Sequence, residues 1–389
     1  MTSPKPTKIL HVLSSLDKRD GGPIRAVVDL SAEGVAYGLE SHLLAPGPLE
    51  LADNPMAEGR IHIAPPAVFR LFRYAPGLRR WLRQHVREFD GVVIHGMWLY
   101  PGYAAAMECL RAGVPYACFP HGMLDLYPVN RSGFIRRVKK HLYWRLVERW
   151  LYEGAAAVVF TTQRELKNAS ATFRINNRKL VVVPYGIAPM HRHAGRPCNE
   201  KLWQPPDRRV ALFFGRVHPK KNVGFLIEAW NKASVAPDYH LVIAGPGDPG
   251  YLAHLEKLAA AGPYRDRIHF AGWVAGADKA YLLERAQWFL LPSLQENFGV
   301  AVLEAAQAGC AVAISNEVYL ADYLSPESAV MDLRMETWTE FFSGRMADDG
   351  RTAATAAADC ASLSSRLNAA DVGRNWAEAF RQLFCGAHE

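Results

Sequence analysis

The chain has 389 residues, half of them hydrophobic and 21% charged, which excludes a disordered polymer and exceeds what one ordinary core organises, so two domains are expected. Its formal net charge of +7 suits an anionic ligand, a membrane surface or a nucleic acid without choosing among them. Cys109, Cys118, Cys198, Cys310, Cys360 and Cys385 are scattered with no C-x-x-C pair, so neither a disulfide framework nor a zinc site is indicated and a reducing cytosol is expected.

The polar start, Met1 to Lys8, lacks an apolar core of signal-peptide length. Lys8 to Leu13 then reads as a buried parallel strand, Gly21-Gly22-Pro23 as a turn, and Ile24 to Tyr37 as a helix by its apolar spacing. Ser41 to Ala45, Gly91 to His95, Tyr116 to Phe119, Ala156 to Phe160 and Leu180 to Val183 read as further strands with helical stretches between them. The longest uncharged run, Gly91 to Met107, is interrupted by Gly96, Pro101 and Gly102, so no transmembrane span is expected. Pro184 to Pro206 has the composition of a linker. The alternation then restarts with Val210 to Phe214, a helix from Val223, His240 to Ala244, Ile268 to Phe270, Trp288 to Leu291 and Ala311 to Ile314. Residues 350–370 are rich in Ala and Ser and weakly patterned, whereas Val372 to Phe384 has helical periodicity. This order predicts two doubly wound α/β sheets, each binding ligands at the carboxyl ends of its strands.

The chemistry-bearing residues fall at those strand ends. Glu296 and Glu304 stand eight positions apart across the start of an expected helix, Val302 to Ala308, with Asn297, Phe298 and Gly299 between them. If helix covered that interval, the carboxylates would lie about 12 Å apart on one face, with an anion-binding helix terminus between them. Two hydroxyl-binding carboxylates around such a terminus suit a nucleotide-sugar. Arg216 and Lys221 follow a strand and could close on a diphosphate, although a solvated basic turn has the same composition. Gly22 could bring backbone near a phosphate, yet the loop lacks the third glycine of the dinucleotide fingerprint. His121, at a strand end, suits a sugar hydroxyl or charge at a reacting centre, and equally a structural role; His95 carries the same ambiguity. Gly245, in Gly245-Pro246-Gly247, offers exposed backbone to a base or simply makes a turn.

Arg131 to Trp150 interleaves Arg136, Arg137, Lys139, Lys140, Arg145 and Arg149 with Phe134, Ile135, Val138, Leu142, Leu146 and Trp150. This pattern fits a basic amphipathic helix on an anionic membrane surface. It fits equally a surface helix docked on its own domain through the apolar stripe. No reading helix or aromatic platform for nucleic acid stands out, so no nucleic-acid partner is expected.

With these residues assembled, the chain resembles the family-4 glycosyltransferases (GT4), retaining nucleotide-sugar-dependent enzymes of the GT-B fold, in which two Rossmann-like domains face across a cleft. The resemblance is densest from Phe213 to Ile314, where Glu296 to Glu304 looks like the family's E-x7-E motif. It extends more thinly over Gly21-Gly22, Pro120-His121-Gly122 and Val183-Pro184-Tyr185-Gly186-Ile187. The resemblance implies an acceptor-side domain over residues 1–188, a donor domain over 189–365, and a final helix, 366–389, packing back on the first. It also implies that Arg216 and Lys221 hold the donor diphosphate, that Glu304 binds the ribose, that Glu296 and His121 contact the transferred sugar, and that Gly22 approaches the phosphates. Backbone N–H groups near Phe298 and Gly299 would surround that sugar, and no metal or other cofactor is implied.

Three positions depart from the family pattern: Asn222 for glycine, Gln287 for aspartate, and Ala311 for proline. The resulting expectation is a cytosolic glycosyltransferase, with peripheral membrane association as the reading of its basic helix. It would move a sugar from a UDP- or GDP-donor to a hydroxyl of a glycan or lipid-linked acceptor. The competing readings are a sugar-nucleotide epimerase of the same fold and a non-catalytic glycan- or membrane-binding protein.

Overall fold

The computed structural model describes residues 5–17, 22–50, 56, 59–69, 72–125, 133–177, 179–187, 209–325, 328–348 and 351–385. The chain divides into two compact units, Met1–Ala188 with Leu367–Glu389, and Pro189–Arg366. Most of the expected linker lies outside the described residues.

Among the described residues the first unit has nine strands: β1 Thr7–Val12, β2 Leu16–Asp17, β3 Leu39–Pro46, β4 Leu49–Glu50, β5 Ile61–Ala64, β6 Gly91–His95, β7 Tyr116–Phe119, β8 Ala157–Phe160 and β9 Leu180–Val182. Seven form one sheet in the order β5-β3-β1-β6-β7-β8-β9, while β2 and β4 make a separate two-residue pair. The pairings in this sheet are parallel. Its central strands are buried on both faces, which is why they read as continuous apolar runs. The second unit has β10 Arg209–Phe214, β11 Tyr239–Ala244, β12 Ile268–Gly272, β13 Ala286–Leu291, β14 Ala311–Ser315 and β15 Ala329–Met331, in the order β12-β11-β10-β13-β14-β15. Its pairings are parallel as well.

In both sheets the first strand sits centrally and the winding reverses beside it, between β1 and β6 and between β10 and β13. At such a point the loops leave in opposite directions and open a crevice. The expected strands are present; β5 and β15 lie at sheet edges and are four and three residues long, too short for a periodicity to show. The weakly patterned stretch contains a helix, Arg351–Arg366. Its inward face includes Ala356, Cys360 and Leu363, and small residues there blur the contrast between faces.

The last helix, Ala369–Phe384, belongs to the first unit. Asn368 caps it by accepting from Asp371 N at 2.9 Å. Phe384 lies so close to Gly91 that a Cβ there would meet its ring at 2.3 Å. Trp376 Nε1 donates to the Pro184 carbonyl at 3.0 Å.

The basic stretch is helical from Phe134 to Gly154, with a π-helical turn over Trp144–Glu148 between α-helical parts. Trp144, Glu148, Leu151 and Tyr152 are buried. Phe134, Ile135, Val138, Leu142, Leu146 and Trp150 point the other way and are 48–75% exposed. The stripe therefore does not dock the helix on its own unit, and that reading is corrected. Steps of four gain about 40° each in an α-helix; the wider turn takes back part of this drift and keeps the stripe on one side.

Glu148 accepts the Trp98 N–H at 2.7 Å, and burial pushes its carboxyl up to about 7. The folded state thus holds a proton that the unfolded chain releases near the ordinary glutamate range. The wild type should lose stability as pH rises from there to about 7. Glu148→Gln, which has no proton to lose, should gain on the order of 2 kcal/mol relative to wild type between pH 5 and pH 8. Urea unfolding at the two pH values checks this, and a difference independent of pH would refute it.

Candidate functional site

In the second unit the crevice beside β10 is made by the loops after β10, β11 and β13. The first two touch through backbone: Gly215 N donates to Ala244 O at 3.0 Å, and Val217 N to Pro246 O at 2.7 Å. Gly245 has φ 140°, and a Cβ there would meet Gly215 O at 1.9 Å, so only glycine permits this approach. The β10 loop then closes a short 3₁₀ turn, Pro219–Lys221, whose Lys220 carbonyl accepts from Leu294 N at 2.9 Å. That bond ties the basic loop to the loop after β13 and brings Lys221 to Glu296, where Nζ forms an ion pair with Oε2.

Glu296 precedes the helix, in an isolated bridge with Val318. The helix is Val300–Gln307, so only half of the interval to Glu304 is helical, and the spacing inferred from a continuous helix does not apply. Gly299, at φ 85°, makes the sharp entry that a side chain would strain. Phe298 is buried beneath this entry. Burial raises the Glu296 carboxyl, but Lys221, Lys220 and Arg216 outweigh it and hold the group below the ordinary carboxylate range. Burial and the same three cations lower His218. Three cations against one carboxylate leave a net positive crevice at a helix start, a setting for an anion.

Glu304 accepts from Lys279 Nζ at 2.5 Å, and Lys279 also lies 5.2 Å over the Phe214 ring. Nothing in the sequence flagged Lys279, because its partner is 25 positions away and no motif joins them. The structure thus gathers Arg216, Lys221, Gly245, Glu296, Asn297, Phe298, Gly299 and Glu304 at neighbouring strand ends of one unit. Two family departures have local reasons. Asn222 stands at φ 58°, a conformation that asparagine tolerates almost as glycine does. Gln287 sits where the β10–β13 register shifts, and its Oε1 accepts the Val210 N–H at 2.6 Å.

In the first unit the crevice beside β1 is a pocket of about 290 Å³, lined among others by Ser14, Ser15, Arg73, Met97, His121 and Met123. Gly22 opens the helix Gly22–Glu33, whose Ile24 also lines it; Gly21 lies outside the described residues. Arg73 Nη1 donates to the Ser14 carbonyl at 2.7 Å. His121 and Gly122 turn the chain at φ 52° and 76°. That turn is fixed by buried Glu165, which accepts from Gly122 N at 2.6 Å and from Thr161 N at 2.7 Å. Both ring nitrogens of His121 are engaged, Nε2 with His95 and Nδ1 with the Tyr185 hydroxyl. His121 thus offers a sugar its ring edge and backbone unless one of these bonds opens.

Among the described residues no group of three or more His, Cys, Asp or Glu is placed to hold a metal ion. No helix among them is long and apolar enough to cross a membrane.

Residues 199–329 match the family Glycosyl transferases group 1, and residues 21–186 match the Glycosyl transferase 4-like domain. The chain belongs to the group 1, GT4-type glycosyltransferases. Within the family it is 29% identical over 248 residues to the uncharacterized glycosyltransferase YqgM of Bacillus subtilis, covering 63% of each chain. It is 28% identical over 232 residues to the D-inositol 3-phosphate glycosyltransferase of Stackebrandtia nassauensis, covering 57% of this chain and 52% of that one. The matches thus span only 52% to 63% of these relatives' own length. The fold is that of Anabaena HepE, solved with UDP and glucose, at TM-score 0.73 and 16% identity, covering 97% of this chain and 100% of that one. Sucrose-phosphate synthase of Thermosynechococcus elongatus gives 0.78 at 17% identity, covering 98% and 100%. These likenesses establish the GT-B fold.

The conformation of Asn222 gives this group 1 family member a simple stability test. Asn222→Gly should leave stability within about 1 kcal/mol of wild type, whereas Asn222→Val should cost about 1–2 kcal/mol, read by denaturant unfolding. Equal costs would mean that backbone conformation is not what selects Asn222.

Proposed function

We propose that the protein is a retaining glycosyltransferase that moves a sugar from a UDP- or GDP-sugar to a hydroxyl of a glycan or lipid-linked acceptor. The observation that carries this reading is the Lys221–Glu296 pair at the β10/β13 reversal, with Arg216 and Lys220 beside it and a helix start behind it. In transfer, the bond from the anomeric carbon to the diphosphate breaks, a bond to the acceptor oxygen forms, and the acceptor's proton passes to the departing diphosphate. The diphosphate gains charge as it leaves, and Lys221 and Arg216 stand where that charge would be met. Glu296 holds Lys221 in place until a donor arrives, and then takes the sugar's hydroxyls; Glu304, held by Lys279, takes the ribose. UDP in the HepE structure supports a uridine donor. Retention and independence of a bound metal rest on the family resemblance.

Titration calorimetry is expected to show UDP or GDP binding, with Lys221→Ala lowering transfer at least tenfold. It should change unfolding little, since the pair is partly exposed. Absence of binding by UDP, GDP and ADP would refute a donor site. Release of an epimerised nucleotide-sugar with no acceptor would replace transfer by epimerisation.

The partner reading extends to an anionic membrane surface. Its support is the exposed stripe beside exposed Arg137, Lys139 and Arg145, apolar residues for the acyl boundary and cations for the headgroups. The Arg136 side chain lies outside the described residues, and Lys140, one turn before buried Trp144, has its Nζ 5.9 Å over the Trp98 ring. The protein should float with vesicles carrying anionic lipid. Leu142→Glu with Leu146→Glu should abolish flotation while leaving transfer to a soluble acceptor unchanged, and equal flotation of wild type and variant would sink the membrane reading.

A further inference from the structure

The strand order of the first unit sets β1, β6 and β7 side by side, and each has a histidine within two residues of its carboxyl end. His11 Nδ1 lies 2.9 Å from His95 Nε2, and His95 Nδ1 lies 2.9 Å from His121 Nε2. His121 Nδ1 meets the Tyr185 hydroxyl. The rings stack, with centroids 5.2 and 5.1 Å apart and interplanar angles of 27° and 10°. His11, His95 and Tyr185 are buried, and the far nitrogen, His11 Nε2, has no hydrogen-bond partner among the described residues. Phe380 of the last helix lies edge-on to the His11 ring at 5.9 Å.

A neutral imidazole carries one N–H and one lone pair, and this restricts the chain severely. If His121 holds its proton on Nδ1, its Nε2 must accept, so His95 must donate from Nδ1, and then His11 must too. If His121 holds its proton on Nε2, all three do. A mixed set would face two N–H groups or two lone pairs across 2.9 Å, leaving buried polar groups unpaired. Four side chains therefore share two proton arrangements, in one of which Tyr185 accepts and in the other donates.

Passing between them needs one proton to enter at His11 Nε2, one hop across each contact, and one proton to leave the Tyr185 hydroxyl. Nothing is oxidised or reduced, and one proton enters for each that leaves. At the entrance Phe380 packs edge-on against the His11 ring, and no described residue donates to Nε2. A passage closed at one end conducts nothing. It holds whichever arrangement the fold selects. The neighbouring pair behaves differently: His42 Nδ1 meets His62 Nε2 at 3.0 Å, and His42 Nε2 ends on the Glu40 carboxylate at 2.9 Å, an acceptor that fixes the proton by itself.

We propose that His11, His95 and Tyr185 are positioning residues that lock His121 in one tautomer and one ring orientation, and that Phe380 is the plug that keeps the lock closed. Burial lowers His11 to about 3, with His42 on β3 adding to it, and burial lowers His121 to about 3. His95 is lowered by burial and by its two histidine neighbours. Glu165 is the carboxylate felt by Tyr185. The consequence for sugar transfer rests on the function proposed above; the lock itself does not.

Nitrogen-15 shifts of the histidine rings in the full chain test the lock. His11, His95 and His121 should show one shared tautomer, and none should protonate from pH 8 to pH 5. In Phe380→Ala, water reaches His11, which should titrate near the ordinary value of about 6.5, and the shifts of His95 and His121 should move with it. In His11→Asn, which ends the chain with an amide able to donate or accept, His95 and His121 should populate both tautomers. Unlike tautomers in the wild type, or a single unmixed tautomer in His11→Asn, would overturn the proposal, whether or not Phe380→Ala folds. With donor sugar, His11→Asn should lower kcat about tenfold at nearly unchanged KM, and an equal kcat would confine the lock to structure. If the wild type turns over no donor at all, the enzyme reading fails while the ring shifts still decide the lock.

Discussion

A parallel sheet that reverses its winding must part its loops at the reversal, and both units are organised around that one geometric constraint. β1 and β6 part in the first unit and β10 and β13 in the second. Each gap is then filled with side chains from loops that the sheet itself aligns. The central strands are mostly apolar and buried on both faces, with His11 on β1 and His95 on β6 as polar exceptions. Their contribution is register, which decides that Lys221 meets Glu296 and that His11 meets His95.

The two crevices solve the problem of polar groups in different ways. In the second unit, charge is answered by charge: Lys221 on Glu296 and Lys279 on Glu304, with surplus cations facing outward. Such pairs are partly exposed and open to exchange, so an arriving anion can take over one partner. In the first unit Arg73 lines the crevice but donates to the Ser14 carbonyl, and among the described residues no cation bonds the three histidines. They satisfy one another as neutral rings, deep enough that a charge there would be costly. One crevice gathers several cations, and in the other the histidines stay neutral beside Arg73.

Much of this was legible in the sequence, and the remainder has identifiable reasons for being hidden. Continuous apolar runs bounded by glycine and proline located the strands, and Glu296, Glu304, Arg216 and Lys221 could be singled out by position after them. What the chain could not display was pairing across the fold. Lys279 and Glu304 share no motif, and the link from His11 to His95 to His121 spans three strands whose order is a tertiary property. The helix expected from Val302 starts at Val300, after a left-handed Gly299; what the sequence left open was whether helix covered the whole interval from Glu296. Asn222 looked like a departure from pattern until its conformation showed why asparagine serves. The apolar stripe over 134–150 was visible, but which way it faced was not: that depends on Trp144, Glu148 and Leu151 winning the inward side.

The first unit takes its last helix from the far end of the chain, after the whole of Pro189–Arg366. During synthesis the N-terminal sheet must therefore wait with Gly91 and His11 uncovered while the second unit, continuous in sequence, is made and can fold. Only when residues 369–384 emerge can Phe384 seat against Gly91 and Phe380 against His11. The order of manufacture thus makes the first unit the later one to mature, and leaves its histidines wet until residues 369–384 have been made.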